Sequence, residues 1–184
     1  MILGNAARVA QNMGIHRDPR HFPYTPWICE LRRRCWNYLC CLDGLALSSY
    51  GAESCLPSTS DAQPPKNAND SEWYASRFAK PASIPPDIRG FKETTFVLAR
   101  REIAGLTVQL SQLDPQDFVA KERILRQTKI SLDEKYLNEI DRSNPSQTVV
   151  AALVEVSLSS LRLNLRHRRT MLGTSPSPEI EKYE

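Results

Sequence analysis

Three consecutive residues near the N-terminus combine an imidazole, a guanidinium and a carboxylate: His16, Arg17 and Asp18. In a proton-transfer site His16 would act as a general base and Arg17 would hold an anionic substrate. Alternatively, such side chains just past a helix end cap carbonyls and pair with acidic neighbours. We favour this structural role, because the chain contains no Gly-x-Ser-x-Gly elbow and no His-Glu-x-x-His sequence. We therefore expect no catalytic residue and no enzyme activity.

A second candidate is the basic run Arg32-Arg33-Arg34, which could contact nucleic-acid phosphates or direct nuclear import. The formal net charge of only +3, however, is far from that of a dedicated nucleic-acid binder. The neighbouring Trp36 predicts instead a packed helix whose arginines stack on aromatic rings and bridge carboxylates such as Asp18 or Asp43. Trp36 and Asp43 are two helical turns apart, so we expect Trp36 in the core and Asp43 anchoring a loop.

The cysteines do not indicate a metal site or a disulfide framework. Their number is odd, no signal peptide is evident, and they lack the paired spacing of zinc ligands. We expect buried thiols, with no metal and no cofactor. The five cysteines are Cys29, Cys35, Cys40, Cys41 and Cys55.

Length and composition are those of one soluble domain, or most of one: 184 residues, 41% hydrophobic and 24% charged, with 13 prolines. We expect no membrane span, because no apolar stretch approaches the roughly 20 residues that cross a bilayer. The longest run near the C-terminus, Val149–Val156, is short and contains Glu155. We therefore expect an intracellular protein that does not contact membranes.

Hydrophobic spacing predicts an all-α fold of about four to five long helices, and alternating strand patterns are absent from the sequence. The predicted helices cover residues 2–13, 26–50 with Thr25 as N-cap, 92–111, 115–141 and 145–171. A Pro/Ser/Asn-rich ordered loop, 52–90, separates the second from the third and could hold a helical turn near Asp70. The tail 173–184 is predicted to be disordered.

Apolar residues at helical spacing also predict which side of each helix is buried. For the first helix these are Ile2, Leu3, Ala6, Ala10 and Met13. For the second helix they are Ile28, Leu31, Cys35, Leu39, Leu42 and Leu45 or Ala46. For the last helix they are Val149, Ala152, Leu153, Val156, Ser160 and Leu163.

An ordered series of motifs in residues 1–75 resembles the middle homology region of the fungal zinc-cluster transcription factors. The motifs are Ala7-Arg8-Val9-Ala10, Gly14-Ile15-His16-Arg17-Asp18, Glu30-Leu31-Arg32-Arg33-Arg34-Cys35-Trp36, Leu42-Asp43, Tyr50-Gly51 and Pro65-Lys66-Asn67-Ala68-Asn69-Asp70. Residues 91–171 are similar to the helical remainder of that region. The resemblance implies structural roles for Arg8, Gly14, His16, Arg17, Asp18, Glu30, Arg32, Arg33, Arg34, Trp36, Asp43, Gly51, Asn67 and Asp70.

The resemblance further implies a nuclear transcription regulator, of the kind that controls metabolic or secondary-metabolite gene clusters. The six closely spaced cysteines of the family's zinc cluster are not in this sequence, and neither is its coiled-coil linker. We therefore expect a partial regulatory domain over 1–172, which reaches DNA only indirectly or through a missing N-terminal domain. Its apolar stripes would then be exposed, which favours self-association or a protein partner. Two alternatives are a truncated interaction module that dimerises with full-length factors and a small-molecule-binding helical domain.

Overall fold

The computed structural model describes residues 2–50, 53–57, 59–78 and 84–173. Within these residues the chain is helical and contains no strand, which confirms the all-α prediction. The six α-helices are α1 (Ile2–Asn12), α2 (Pro26–Tyr50), α3 (Asp70–Phe78), α4 (Thr95–Gln112), α5 (Phe118–Leu132) and α6 (Pro145–Met171). Short 3-10 and π turns occupy Pro19–His21 and Asp133–Leu137.

The end of α1 reverses the chain at Gly14, as the sequence predicts. Gly14 adopts φ +66°, a conformation that favours glycine. The amide of Gly14 donates to the carbonyl of Gln11, and the amide of Ile15 donates to that of Ala10. These two bonds form a Schellman motif, which satisfies carbonyls that the helix end would otherwise leave unpaired.

Helix α4 lies at the centre of the molecule and contacts α2, α5 and α6. Helices α2 and α4 approach closely at Gly44, where an added Cβ would lie 2.5 Å from the Cβ of Ala104. On its other sides α4 forms the main hydrophobic core with α5 and α6. Its buried members are Leu98, Ala99, Ile103, Leu106, Leu110, Leu125, Leu132, Tyr136, Val154 and Leu158. A smaller core joins Ala10 of α1, Trp36 of α2 and Ala62.

The predicted buried sides of α2 and α6 are wrong. Helix α2 buries mostly polar or small residues, including Glu30, Asn37, Asp43 and Gly44. Its predicted apolar stripe is largely exposed at Ile28, Leu31, Cys35, Leu42 and Leu45. We call these residues, together with exposed Tyr38, the α2 stripe. The prediction for α2 fails because buried ion pairs and hydrogen bonds determine which face of the helix packs inward. Hydrophobic spacing in the sequence carries no information about these polar contacts.

Helix α6 carries two apolar stripes. The prediction assigned the core to the stripe that faces outward in the structure. Val154 and Leu158 are buried, with Leu161 and Leu165 packed against the same core. The predicted stripe is mostly exposed, at Val149, Ala152, Leu153, Val156, Ser160 and Leu163. In α1 the prediction is right at Ala10 but wrong at Ile2 and Met13, which are exposed.

Other boundaries differ from the prediction in smaller ways. The loop 52–90 contains the nine-residue helix α3. The fourth predicted helix ends at Leu132 rather than 141, because the π turn Asp133–Leu137 breaks its regular hydrogen bonding. Gly51 and the predicted disordered tail beyond Gly173 lie outside the described residues.

By length and composition alone, α6 could cross a membrane, so the expectation that no stretch approaches that length is wrong. Between residues 145 and 165 it carries only two charges, Glu155 and Arg162. Length and composition are weak evidence of a span, because core helices of soluble proteins pass the same test.

Candidate functional site

One motif carboxylate, that of Asp18, is almost fully buried, with 1% of its surface exposed. Asp18 caps the 3-10 turn that follows it by accepting from the amide of Arg20 at 2.9 Å. It also accepts from Arg33 of α2 at 3.0 Å and from the amide of Gln63 at 3.0 Å. Burial alone would raise the pKa of Asp18. These hydrogen bonds, together with the guanidinium groups of Arg20 and Arg33, hold that pKa well below its usual value. Asp18 thus ties α2 to a distant loop as a charged group.

The flanking motif residues fix the same corner of the molecule. Arg17 pairs with Asp61 through its Nε at 3.0 Å, and Asp61 accepts from the amide of Asp18 at 2.9 Å. Arg32 donates to the carbonyl of Met13 at 2.7 Å and lies 4.8 Å from the Tyr24 ring centroid. Arg32 therefore caps the end of α1, and its position over the Tyr24 ring agrees with the aromatic stacking predicted for the arginine run.

His16 does not form a general-base arrangement with its neighbours. Its ring centroid is 6.1 Å from that of Trp36, and its carbonyl accepts from the Ser60 hydroxyl at 2.9 Å. Among the described residues, its Nδ1 is buried without a hydrogen-bond partner. His16 therefore packs between α2 and the loop rather than facing a substrate site.

The acidic residue of the motif Glu30–Trp36, Glu30 itself, is fully buried on α2. It accepts from Arg34 Nε at 2.9 Å and from the amide of Lys66 at 3.2 Å. Burial raises the pKa of Glu30, although Arg34 opposes that change. Arg34 also pairs with Asp70 at the start of α3. The Glu30–Arg34 pair therefore connects α2 to the chain that leads into α3.

The side chain of Asn67 is the centre of the motif Pro65–Asp70. Asn67 is 2% exposed, and its amide group donates to the carbonyls of Ile88 at 2.7 Å and Gly90 at 2.8 Å. Its Oδ1 accepts from the hydroxyl of Thr95 at 3.1 Å. One amide side chain thus holds three segments together: the Pro-rich loop, residues 88–90 and the start of α4.

Asp43 anchors the segment after α2, as the sequence analysis expects. Its carboxylate accepts from the Ser54 hydroxyl at 2.7 Å and from the amide of Cys55 at 2.9 Å. Trp36, two turns earlier, is 1% exposed. Both residues therefore contribute to the structure in the positions predicted for them.

Sequence reasoning missed three members of this network: Asn37, Asp61 and Arg101. Asn37 is fully buried, donates to the carbonyl of Arg33 and accepts from Arg101 of α4. An asparagine within a helix has low helix propensity, and this is the signal that marks Asn37. Asp61 gives no such signal, because it lies in a loop without periodicity. We use the name polar network for Asn37, Asp61 and Arg101 together with the paired motif residues. These motif residues are Arg17, Asp18, Glu30, Arg32, Arg33, Arg34, Asp43, Asn67 and Asp70.

Among the described motif residues, Arg8 does not join the polar network. Arg8 is exposed on α1, and Gly51 lies outside the described residues. In the network itself each carboxylate accepts from guanidinium, amide or hydroxyl donors, so none is poised to accept a substrate proton. The polar network holds the loop 53–70 against α1, α2 and α4.

The expectation of buried thiols is wrong for Cys35 and Cys55, which are exposed. Within the described residues, no group of three or more histidine, cysteine, aspartate or glutamate side chains could hold a metal ion. Cys41 donates its thiol to the carbonyl of Val97, and burial raises its pKa to about 11. Such a thiol stays protonated at neutral pH, whereas a metal ligand must be a thiolate.

An open cleft of about 430 Å³ lies between the Pro-rich loop, α4 and the π turn. Its carboxylates are already paired: Glu102 with Lys135 and Tyr136, and Asp87 with Lys66. Burial and the neighbouring Glu102 raise the pKa of Tyr136, so its hydroxyl remains a donor. The pairing of these groups with one another gives the small-molecule alternative little support.

The chain resembles known proteins over most of its length. The family model described as the fungal specific transcription factor domain matches residues 1–153. The aurofusarin cluster transcription factor aurR2 of Gibberella zeae is 28% identical over 176 residues, covering 91% of this chain and 26% of the relative. The pyriculol/pyriculariol biosynthesis cluster transcription factor 1 of Pyricularia oryzae is 35% identical over 115 residues, 61% of this chain and 15% of the relative.

A third relative, transcription factor phm2 of a Pyrenochaetopsis species, is 27% identical over 189 residues, covering 95% of this chain and 25% of the relative. The chain thus spans about a quarter or less of the length of these curated relatives. No solved structure matches it significantly.

Proposed function

Because the chain belongs to the fungal specific transcription factor domain family, we propose that it is a regulatory domain of transcription that controls a biosynthetic gene cluster. The family match over residues 1–153 is the observation that carries this proposal. The names of relatives such as the aurofusarin and pyriculol/pyriculariol cluster factors supply the class of target genes. We place its action in the nucleus for the same reason.

The polar network supports a regulatory rather than a catalytic role. The charged residues of the motifs are engaged in holding the helices and the loop 53–70 together. In this proposal they keep a helical scaffold rigid, and the scaffold acts through protein contacts. The chain reaches promoter DNA through a zinc-cluster domain elsewhere or through a partner that carries one.

We infer that the cysteines of this chain do not supply the zinc cluster of the family. Cys29 is buried beside the carbonyl of Tyr24, whereas Cys35 is on the exposed side of α2. Cys55 is exposed in the following segment and donates to Asp43. These thiols point to different surroundings, so no step of the proposed function is assigned to a metal in this chain.

A second candidate function is an interaction module that binds full-length relatives and modulates them. The exposed α2 stripe and the exposed outer side of α6 favour it, because large apolar surfaces mark protein contacts. The two functions differ in what they require: the first acts at a promoter when tethered, and the second acts without tethering on another factor.

Tethering distinguishes the two. We would fuse residues 1–184 to a heterologous DNA-binding domain and measure a reporter gene that carries the matching operator, beside the DNA-binding domain alone. The regulatory-domain proposal expects reporter output to rise or fall several-fold. An unchanged reporter with a folded, nuclear fusion would contradict it. The interaction-module proposal expects an effect of the untethered chain on the promoter of a full-length relative, and no such effect would contradict that proposal.

A further inference from the structure

Four arginines gather around one carboxylate where α5 packs against the C-terminal half of α6. Glu122 of α5 accepts from Nε of Arg162 of α6 at 2.9 Å, and Arg166 and Arg169 line a small pocket with the same Glu122. Arg126 lies four residues after Glu122, which places both on one side of α5. Arg126 and Arg166 are exposed, and the other two arginines are partly exposed. We call Arg126, Arg162, Arg166 and Arg169 the arginine cluster.

The carboxylates nearby do not neutralise the arginine cluster. Of the residues that form α5 and α6, only Glu122 and Glu155 are acidic. Glu155 pairs with Lys129 at 2.6 Å, further along the two helices. Asp114 and Asp117, which precede α5, accept from backbone amides. Four guanidinium groups therefore face one carboxylate, and the surface around them is positive.

Helix stability alone does not account for the arginine cluster. Cations in the last turn of a helix complement its dipole, but this effect falls off within that turn. It explains Arg168 and Arg169, which lie in the last turn of α6. Arg162 and Arg166 precede that turn, and Arg126 is in the middle of α5. Like charges four residues apart, as at 162 and 166, even destabilise a helix slightly. The position of these arginines therefore indicates an anionic ligand.

The residue type and spacing favour a row of phosphates as that ligand. The planar guanidinium group donates two parallel hydrogen bonds to a phosphate. Arg162, Arg166 and Arg169 follow one side of α6 in steps of four and three, so the row is about 10 Å long. Phosphates of one DNA strand recur about every 3.4 Å along the duplex axis, so the row spans roughly three of them. We propose that the arginine cluster binds the phosphate backbone of duplex DNA.

The side chains of these two helices favour a duplex over a single strand. Proteins that bind single strands stack the bases on exposed aromatic rings. Phe118 is the only phenylalanine, tyrosine or tryptophan in α5 and α6, and it is buried. Phosphate contacts position a protein on DNA without reading its bases. We therefore expect binding that depends on salt and not on base sequence.

A contact of this kind is weak by itself and effective at a promoter. Non-specific binding to DNA has dissociation constants of roughly 10⁻⁴ to 10⁻⁶ M at physiological salt. A zinc-cluster domain or a partner that holds the chain at a promoter raises the effective concentration of the cluster to the order of 1 mM. The arginine cluster then adds a direct contact to the indirect route described above. The inference goes beyond the proposed function and does not rest on it, because the purified chain is sufficient to test it.

Fluorescence anisotropy of a short labelled duplex, titrated with the full chain at several potassium chloride concentrations, tests the proposal. We expect a dissociation constant on the order of 10 μM at about 50 mM salt. The logarithm of the association constant should fall with the logarithm of salt with a slope of about −3, because roughly three phosphates are neutralised. The double variant Arg126→Gln/Arg166→Gln should weaken binding about tenfold or more and reduce the steepness of that slope by about two.

The double variant Arg89→Gln/Arg142→Gln is the matched control. Both arginines are exposed, and Arg142 precedes the opposite end of α6. The two double variants lose the same charge, so a comparison of them separates the cluster from net charge. The control should change the affinity by less than about twofold. Far-ultraviolet circular dichroism verifies that each variant is folded.

Two results with the wild-type chain would overturn the proposal without any variant. One is the absence of binding to the duplex at about 50 mM salt, and the other is an affinity that salt does not change. Equal losses in the two double variants would show that net charge and not the cluster is responsible. Tighter binding to a single strand of the same length would contradict the choice of a duplex. Binding to phosphatidylserine vesicles in place of the duplex would assign the cluster to a membrane instead.

Discussion

At the scale of single residues, the charged motif is explained by burial and hydrogen bonding. His16, Arg17 and Asp18 have the residue types of a catalytic cluster, but Asp18 accepts from two amides and two guanidinium groups instead. A buried carboxylate with this many donors is stable only while it is charged and its partners are present. The same carboxylate therefore makes the molecule sensitive both to substitution and to acid.

We predict that Asp18→Asn lowers the free energy of unfolding by about 3 kcal/mol at pH 7, because it leaves the partly buried Arg33 without its counter-charge. The pKa of Asp18 is depressed in the folded state, so its charge stabilises the fold above about pH 4 and less below it. Urea unfolding at pH 7 and pH 3 measures this. The difference between the wild type and Asp18→Asn should narrow by about 1 kcal/mol at pH 3. A difference that stays constant or widens would contradict a charged, stabilising Asp18.

The second prediction concerns Asn67, which joins three segments. Asn67→Ala leaves two buried carbonyls and the Thr95 hydroxyl without this partner, and each lost bond costs about 1 kcal/mol or more. We expect a loss of about 3 kcal/mol in thermal or urea unfolding. Asn164→Ala on the surface of α6 is the matched control and should change stability by less than about 0.5 kcal/mol. Equal effects of the two substitutions would show that Asn67 does not hold the segments.

At the scale of elements, the close approach of α2 and α4 decides how the polar network and the main core are joined. Gly44 permits this approach, since a Cβ there would lie 3.3 Å from the Cα of Ala104 as well as 2.5 Å from its Cβ. Gly105, one residue further along α4, has no atom within 4 Å of an added Cβ. The two glycines therefore differ in role although both lie within helices.

We predict opposite signs for the two alanine substitutions. Gly105→Ala should stabilise the protein by up to about 1 kcal/mol through helix propensity. Gly44→Ala should destabilise it by about 1–3 kcal/mol, because the overpacked helices must separate. Ala104→Gly in the Gly44→Ala background should recover part of that loss. Melting temperatures of the four proteins measure this, and a stabilising Gly44→Ala would mean that α2 and α4 do not approach as described.

The elements also show how far sequence patterns reach. Hydrophobic spacing and the residue types typical of helix ends are enough to predict where a helix forms. For this reason α1, α2, α4 and α6 begin and end close to the predicted residues. The buried side of a helix follows from hydrophobic spacing only where one stripe is apolar, as at Ala99, Ile103 and Leu106 of α4. In α6 two apolar stripes compete, and in α2 ion pairs decide the buried side. Long-range partners such as Asp61 and Arg101 depend on the tertiary fold, and no local pattern indicates them.

At the scale of the whole molecule, both outermost long helices present apolar surface to the outside. Helix α2 packs on α4 and exposes the α2 stripe, while α6 packs on α4 and α5 and exposes its outer face. Soluble monomers rarely expose large contiguous apolar patches. A surface of this kind favours contact with other protein, which supports the regulatory function proposed for the domain.

The central claim is that this protein regulates transcription of a biosynthetic gene cluster. The most direct measurement is the transcript level of the genes that flank its own gene, compared between the source strain and a deletion strain. We expect the transcripts of a contiguous set of biosynthetic genes to change several-fold, with recovery on reintroducing the wild-type gene but not one encoding Asp18→Asn. Unchanged levels of those transcripts, under conditions in which the gene is expressed, would contradict the claim.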